Sequence, residues 1–139
     1  MRLIFIFCML IVAVPAFAVE PLVPEEFIGD WLPTDNACDS KLGIKVEKDS
    51  VTLFNGADSK SFGDLDICYS CEGGAQYSGE VVWLLPEFHS GNGVQFTVYF
   101  NANEEKGITV IQFEKKEKEN IKKRFPLHDV KLRKCKRKT

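Results

Sequence analysis

The segment at residues 79–101 constrains the fold most strongly, because two apolar runs flank a cluster of turn-forming residues. The second run alternates strictly, and one of its faces consists of Val94, Phe96, Val98 and Phe100. Successive side chains of a strand point to opposite faces, so this alternation predicts a half-buried strand. The first run, residues 80–85, is apolar at both parities, as in a strand covered on both faces. Proline, glycine and asparagine between the runs predict a central β-hairpin.

Six further segments carry shorter strand-like patterns, and turn-forming residues separate them. They are residues 27–32, 44–46, 51–54, 62–71, 108–113 and 130–135. Residues 115–124 are highly charged, with Ile121 as their one apolar residue, which predicts a solvated loop or one or two turns of helix. Short strands joined by turns predict an all-β fold, a single antiparallel eight-stranded barrel or sandwich stapled by disulfides.

The fourth predicted strand has a predicted start and a predicted inward face. Asn55-Gly56 is a strong hairpin signal, and we expect the loop that it begins to extend to Lys60. In the strand at residues 62–71, alternation predicts an inward face. That face is formed by Leu65, Ile67 and Tyr69.

Residues 1–18 have the pattern of a secretory signal peptide. A short positive n-region precedes an apolar run at residues 3–14, and Ala16-Phe17-Ala18 is a small-x-small cleavage site. The run is short for a membrane span, and no later apolar segment is long enough. We therefore expect an exported protein, periplasmic or secreted, with no transmembrane segment. Residues 19–139 are predicted to form a single domain.

Four cysteines remain after the predicted cleavage: Cys38, Cys68, Cys71 and Cys135. In a small exported domain an even number of cysteines predicts disulfides, and four allow three pairings. If residues 65–71 form one regular strand, Cys68 and Cys71 face opposite ways and cannot pair. This favours Cys38–Cys68 and Cys71–Cys135.

The C-x-x-C spacing of Cys68 and Cys71 has two other interpretations, a redox motif and part of a zinc site. The pair lies at the end of a predicted strand rather than at a helix N-terminus, and the chain has no second close pair. Structural disulfides are therefore favoured. The two histidines, His89 and His128, lie in no recognisable catalytic motif. We expect no enzyme activity, no cofactor, no metal site and no nucleic-acid partner.

Charge is distributed unevenly along the chain. Residues 19–114 carry 17 acidic and 5 basic side chains, a net charge of −12. Residues 115–139 carry 12 basic and 3 acidic side chains, a net charge of +9. One interpretation is two solvated faces. The other is that the acidic body attracts a cationic partner, or that the basic tail contacts an anionic envelope surface.

Gly29-Asp30-Trp31 opens the first predicted strand with a G-x-W pattern. This resembles the start of lipocalins and other calycin barrels, and the resemblance implies that Trp31 closes one end of an eight-stranded barrel. It also implies an arginine on the last strand against that tryptophan. Arg133 lies in that region, although its alternation with Leu132 points it outward.

The order of Gly29, Trp31 and Cys38 also resembles the order of these residue types in small periplasmic protease inhibitors of bacteria. The predicted export signal and the small disulfide-bonded barrel resemble periplasmic lysozyme inhibitors as well. The resemblance implies an exported binding protein, a periplasmic inhibitor or interaction module that recognises another envelope or secreted protein. The alternative is a lipocalin-like carrier of a small apolar ligand. The predicted binding residues are Phe88 and His89 on the central turn, together with Trp31 and Trp83.

Overall fold

The computed structural model describes residues 23–35, 38–69, 71, 80–91, 93–114 and 118–136. The predicted signal peptide and the last three residues of the basic tail lie outside these ranges.

Within the described ranges the chain forms one antiparallel sheet of nine strands. The strands are β1 (Gly29–Pro33), β2 (Leu42–Val46), β3 (Val51–Asn55), β4 (Asp58–Phe62), β5 (Asp66–Cys68), β6 (Val82–Leu85), β7 (Phe96–Phe100), β8 (Ile108–Phe113) and β9 (Leu132–Cys135). Their order across the sheet is β4-β3-β2-β1-β9-β8-β7-β6-β5. The chain therefore makes two four-stranded meanders, and β9 joins them. This confirms the all-β antiparallel fold class, a curled half-barrel with two disulfides.

The sheet curls because its two edge strands are consecutive in the sequence. Only residues 63–65 connect β4 to β5, so Phe62 and Asp66 are at most about 15 Å apart. A flat sheet of nine strands would separate its edges by about 38 Å. Phe62 on β4 packs edge-to-face against Phe96 on β7, with ring centroids 4.9 Å apart. The curvature thus brings opposite parts of the sheet into one core.

The concave face of the sheet encloses an apolar core rich in phenylalanine. As predicted for the central hairpin, Phe96, Val98 and Phe100 are buried on the inner face. Phe27, from the segment before β1, stacks on Phe100 with a centroid separation of 4.2 Å. Each fully buried side chain of this size contributes roughly 1.5–3 kcal/mol to folding.

The segment between β8 and β9 completes the core. It contains α1 (Lys118–Arg124), a short helix within the region predicted as a charged loop or a turn or two of helix. Phe125 and Leu127, which follow α1, are fully buried. Asn55 donates a side-chain hydrogen bond to the Arg124 carbonyl at 2.8 Å, which fixes the end of α1 against the β3–β4 hairpin. No helix among the described residues is long and apolar enough to cross a bilayer.

The glycine of the G-x-W pattern lies in close contact with the side chain of Lys134 on β9. Gly29 has φ 141°, and a Cβ at this position would lie 2.8 Å from Cε of Lys134. The Lys134 ammonium donates to the Glu26 carbonyl at 2.9 Å. In the β1–β9 pairing, Trp31 is opposite Lys134. Arg133 is exposed, as its alternation predicts, so the arginine contact with Trp31 that the calycin resemblance implies is not formed by Arg133.

The predicted fourth strand is wrong in its boundaries. The turn after Asn55 is a two-residue hairpin, and the chain continues as β4 rather than as a loop to Lys60. The sheet therefore has nine strands, not eight. β5 ends at Cys68, and Tyr69, predicted to face inward, is 57% exposed because the regular alternation stops before it.

The favoured disulfide pairing is also wrong. The bonds are Cys38–Cys135 and Cys68–Cys71, with Cα–Cα distances of 5.6 and 5.7 Å. The expectation required residues 65–71 to be one regular strand. Because β5 ends at Cys68, the chain turns and brings Cys71 back within bonding distance. Cys38–Cys135 attaches β9 to the β1–β2 connection.

We predict that the two disulfides contribute unequally to stability. Cys38–Cys135 has a sequence separation of 97, and loop-closure entropy gives about 4.7 kcal/mol for a loop of this size. Cys68–Cys71 has a separation of 3 and contributes about 2 kcal/mol. Urea unfolding of the two double-alanine variants measures the difference. An equal loss of stability in both variants would contradict the entropic explanation.

A second prediction concerns a polar atom in the core. Thr109 is completely buried between Phe100 and Leu132, and its hydroxyl has no hydrogen-bond partner in the described structure. An unpaired buried hydroxyl costs about 1–3 kcal/mol. Thr109→Val keeps the shape and removes this cost, so the free energy of unfolding should rise by roughly 1 kcal/mol. Thr109→Ala, which also leaves a cavity, should lower it. Destabilisation by the valine variant would refute the assignment.

Candidate functional site

The four predicted binding residues lie in three different environments. Trp31 is 2% exposed, and its indole N–H donates to the Phe27 carbonyl at 2.9 Å. Trp31 is therefore a core residue that packs against Phe100, with ring centroids 5.5 Å apart. Trp83 lies on the outer face of β6, and Phe88 and His89 lie in the connection between β6 and β7.

The aromatic loop, residues 86–91, is attached to the β4–β5 connector by backbone hydrogen bonds. The N–H groups of Glu87 and Phe88 donate to the carbonyls of Gly63 and Asp64 at 2.9 and 3.1 Å. The Asp64 carboxylate accepts a third bond from the His89 N–H at 2.9 Å. These bonds extend the β5–β6 pairing into the loop. They restrain its backbone at residues 87–89.

Phe88 is the exposed aromatic residue of this loop. Its side chain is 45% exposed, and its ring contacts His89 edge-to-face at a centroid distance of 5.0 Å. The His89 Nδ1 lies 3.3 Å from a carboxylate oxygen of Asp64. An apolar ring is thus held at the surface beside the acidic side chains of Asp64 and Glu87.

Trp83 belongs to a second feature, a cleft of about 400 Å³ on the outer face of the sheet. We call it the outer cleft; it is lined by Trp83, Tyr99, Ala102, Asn103, Val110, Gln112, Asp129 and Lys131. Trp83 and Tyr99 are cross-strand partners on β6 and β7. Their rings meet edge-to-face at 5.0 Å with an angle of 69°. Both side chains are partly exposed.

Two polar walls flank this aromatic pair. One is a short 3₁₀ turn, Ala102–Glu104, which follows β7. The other is the segment that leads into β9, and Lys131 in this segment forms a 2.8 Å ion pair with Glu105 at the end of the first wall. The ion pair connects the two walls.

Asp129 holds the second wall against β8. One carboxylate oxygen accepts a 3.1 Å hydrogen bond from the Gln112 amide, and the other lies 3.2 Å from Nε2 of His128. The Phe113 N–H donates to Nδ1 of His128 at 3.1 Å. Nδ1 therefore carries no proton in this arrangement, and Nε2 is the nitrogen that donates to Asp129.

The sequence identified Trp83 but missed the rest of the outer cleft. Tyr99 alternates with Phe100, so its place on the outer face follows from the strand pattern, whereas Gln112, Asp129 and Lys131 belong to no motif. The usable signal was the first run of the central hairpin, which is apolar at both parities. A strand with that pattern needs cover on its outer face, and here the two walls provide part of it.

The charge asymmetry is partly neutralised within the molecule. Arg124 in the basic segment forms a two-pronged ion pair with Asp58 of the acidic body, with N–O distances of 2.9 and 2.6 Å. Lys131 pairs with Glu105 in the same sense. The basic segment therefore contacts the acidic body of its own chain. This differs from fully solvated faces, and it also differs from attraction to a separate partner.

The hydrogen bond between Arg124 and Asp58 changes the pKa of both groups. It lowers the pKa of the Asp58 carboxyl below its ordinary value and raises the pKa of the guanidinium. Since both groups are exposed, the stabilisation is small and weakened by salt.

Among the described residues, no group of three or more histidine, cysteine, aspartate or glutamate side chains is arranged to hold a metal ion. The expectation that the chain is not an enzyme stays a prediction. The two disulfides are typical of a protein that folds in an oxidising, extracytoplasmic compartment.

Comparison with known proteins finds no matching family model, no matching curated protein and no matching solved structure. The chain is therefore assigned to no family, and its structure is an antiparallel curled half-barrel sheet.

We predict a measurable pH dependence for the Arg124–Asp58 pair. Because the folded pKa of Asp58 is lowered, the stabilisation is complete above its unfolded pKa, near 4, and disappears as the pH falls through the folded value. In Arg124→Gln, the NMR titration midpoint of the Asp58 carboxyl should rise to its ordinary range. Lys122→Gln removes an exposed charge of the same helix and should leave the midpoint lowered. A midpoint unaffected by Arg124→Gln would show that the pair does not form in solution.

Proposed function

We propose that this chain is an exported, non-enzymatic binding protein that recognises another envelope or secreted protein through the aromatic loop. The observation that carries the proposal is the combination of an exposed ring and a fixed backbone at Phe88. Aromatic anchors that fill a partner's pocket supply much of the energy of protein interfaces. Loops on rigid scaffolds are where binding residues concentrate.

The fixed backbone supports the proposal because it lowers the entropy cost of association. A flexible loop loses conformational freedom when it binds, and that loss reduces affinity. Three hydrogen bonds to Gly63 and Asp64 hold the aromatic loop before any partner is present. The entropy cost of binding at Phe88 is therefore little more than the cost of ordering its own side chain.

The chemistry around Phe88 indicates the kind of partner. Asp64 and Glu87 adjoin the ring, and the acidic body around them carries an excess of negative charge. A complementary surface would be an apolar pocket with basic groups at its rim. The resemblance to periplasmic inhibitors suggests a hydrolase of the envelope as one such partner, and the net charge of −12 on residues 19–114 favours a cationic one.

The filled interior favours surface recognition over the carriage of an apolar ligand. Large side chains occupy the concave side of the sheet, and Phe62, Phe96, Phe100 and Phe125 are each at most 1% exposed. A small barrel either fills with its own side chains or keeps space for a ligand. The packed phenylalanines support the first alternative, so we do not adopt the lipocalin-like carrier.

We predict that Phe88→Ala strongly weakens partner binding without affecting the fold. Loss of an aromatic anchor typically weakens binding by 2 kcal/mol or more, which is about thirtyfold or more in Kd. The folded protein serves as bait against extracts of the envelope and secreted fractions at low salt, and any captured protein is then purified. Its Kd is measured by calorimetry with the wild type and with Phe88→Ala.

Tyr69→Ala is the matched control, since Tyr69 is an exposed aromatic residue outside the aromatic loop. It should bind as the wild type does. Equal binding by Phe88→Ala and wild type, or no partner for folded bait, would rule out the proposal.

A further inference from the structure

We infer that the outer cleft is a binding site for a neutral sugar, a pyranose unit of a glycan. The inference does not depend on the proposed protein partner, because the residues that line the outer cleft do not include Phe88 or His89. It rests on the volume of the cleft, on its aromatic pair and on the state of its charged groups.

The volume and lining fit a small ligand. Sites for small molecules usually measure about 300–1,000 Å³, and a volume of about 400 Å³ lies at the lower end of this range. They also combine an apolar surface with a few polar groups that fix orientation. Here Trp83 and Tyr99 supply the apolar surface. The polar groups belong to Asn103, Gln112 and Asp129.

The charged groups indicate that the ligand is neutral. Lys131 is paired with Glu105 across the walls, and Asp129 is engaged by Gln112 and His128. Neither charge lacks a partner, so an ion entering the cleft would lose hydration without meeting an unpaired opposite charge. A purely apolar ligand would instead cover polar groups that it cannot satisfy, which costs free energy for each group.

A neutral ring with hydroxyl groups avoids both costs. The C–H face of a pyranose can lie on an aromatic side chain, while its hydroxyls at the rim donate and accept hydrogen bonds. An ionised carboxylate has about four acceptor sites, so Asp129 can accept more bonds than the described two contacts use. The Gln112 amide keeps acceptor capacity after it donates to Asp129. The Asn103 side chain is exposed on the opposite wall.

The state of Trp83 is consistent with a binding role. Its indole N–H is buried and has no hydrogen-bond partner in the described structure. An unpaired buried donor is costly. A small rotation of this partly exposed ring on ligand binding would let a sugar hydroxyl accept from it. The bound state would then remove a cost that the free protein carries.

The test uses folded protein and a panel of neutral sugars: methyl glucoside, methyl galactoside, methyl mannoside, N-acetylglucosamine and their β-linked disaccharides. Saturation-transfer NMR detects binding, and Trp fluorescence with ¹⁵N-HSQC titration gives the Kd. We expect at least one sugar to bind with a Kd on the order of 1 mM. Shifted resonances should map to β6, β7, β8 and the segment at residues 128–131. Affinity should be unchanged between 0.05 and 0.5 M NaCl because no ion pair forms.

Two variants separate binding from folding. Tyr99→Ala removes half of the aromatic pair, and Gln112→Ala removes an exposed amide without touching the core. Each should lower affinity at least about fivefold, consistent with the loss of one stacking or hydrogen-bonding contact. Tyr69→Ala should bind as the wild type does. HSQC spectra establish that each variant is folded before its affinity is measured.

Three results would overturn the inference. They are the absence of saturation transfer to every sugar of the panel, affinity unchanged in Gln112→Ala and Tyr99→Ala, and tighter binding of adenosine, uridine or a fatty acid at the same resonances. A sugar-binding failure would leave the protein-binding proposal intact, since that proposal is tested at Phe88.

Discussion

The three-residue connector between β4 and β5 is the constraint on which the rest of the structure depends. It joins the two edges of a nine-stranded sheet, so the sheet has to bend until the end of β4 and the start of β5 are at most about 15 Å apart. Bending creates the concave face that the phenylalanines fill. The same connector supplies the carbonyls that hold the aromatic loop, because Gly63 and Asp64 lie within it. The curvature of the sheet and the rigidity of the proposed recognition loop therefore have one origin.

Electrostatic attraction within the chain complements this geometric constraint. The acidic body and the basic C-terminal segment would each repel themselves if separated, and their contact reduces both repulsions. Arg124–Asp58 and Lys131–Glu105 are the points at which this attraction becomes directional. Exposed ion pairs contribute little individually. Both pairs lie where the segment between β8 and β9 contacts the acidic body.

Strand-like alternation was enough to predict the buried face of β7 and, together with the turns between short segments, the all-β fold class. It failed after Asn55, where Asp58, Ser59, Lys60 and Ser61 are polar on both faces and give no alternation. That strand is defined by backbone pairing with β3. The disulfide pairing failed for a related reason, because the end of a three-residue strand cannot be read from periodicity. Phe88 could be proposed from its place in a turn. The polar lining of the outer cleft could not, because Gln112, Asp129 and Lys131 come together only through the docking of the segment before β9.

The position of β9 has a consequence for how the molecule is made. This strand is the last of the nine to be synthesised, yet it lies in the middle of the sheet, between β1 and β8. Until it arrives, the growing polypeptide consists of two separate meanders with open hydrogen-bonding edges, which are prone to pair with other chains. Its contacts with β1 also join residues far apart in sequence, a feature associated with slow folding. Assembly of the native sheet therefore has to wait for translation of its final strand, and premature termination before β9 leaves the two meanders without the strand that pairs with both.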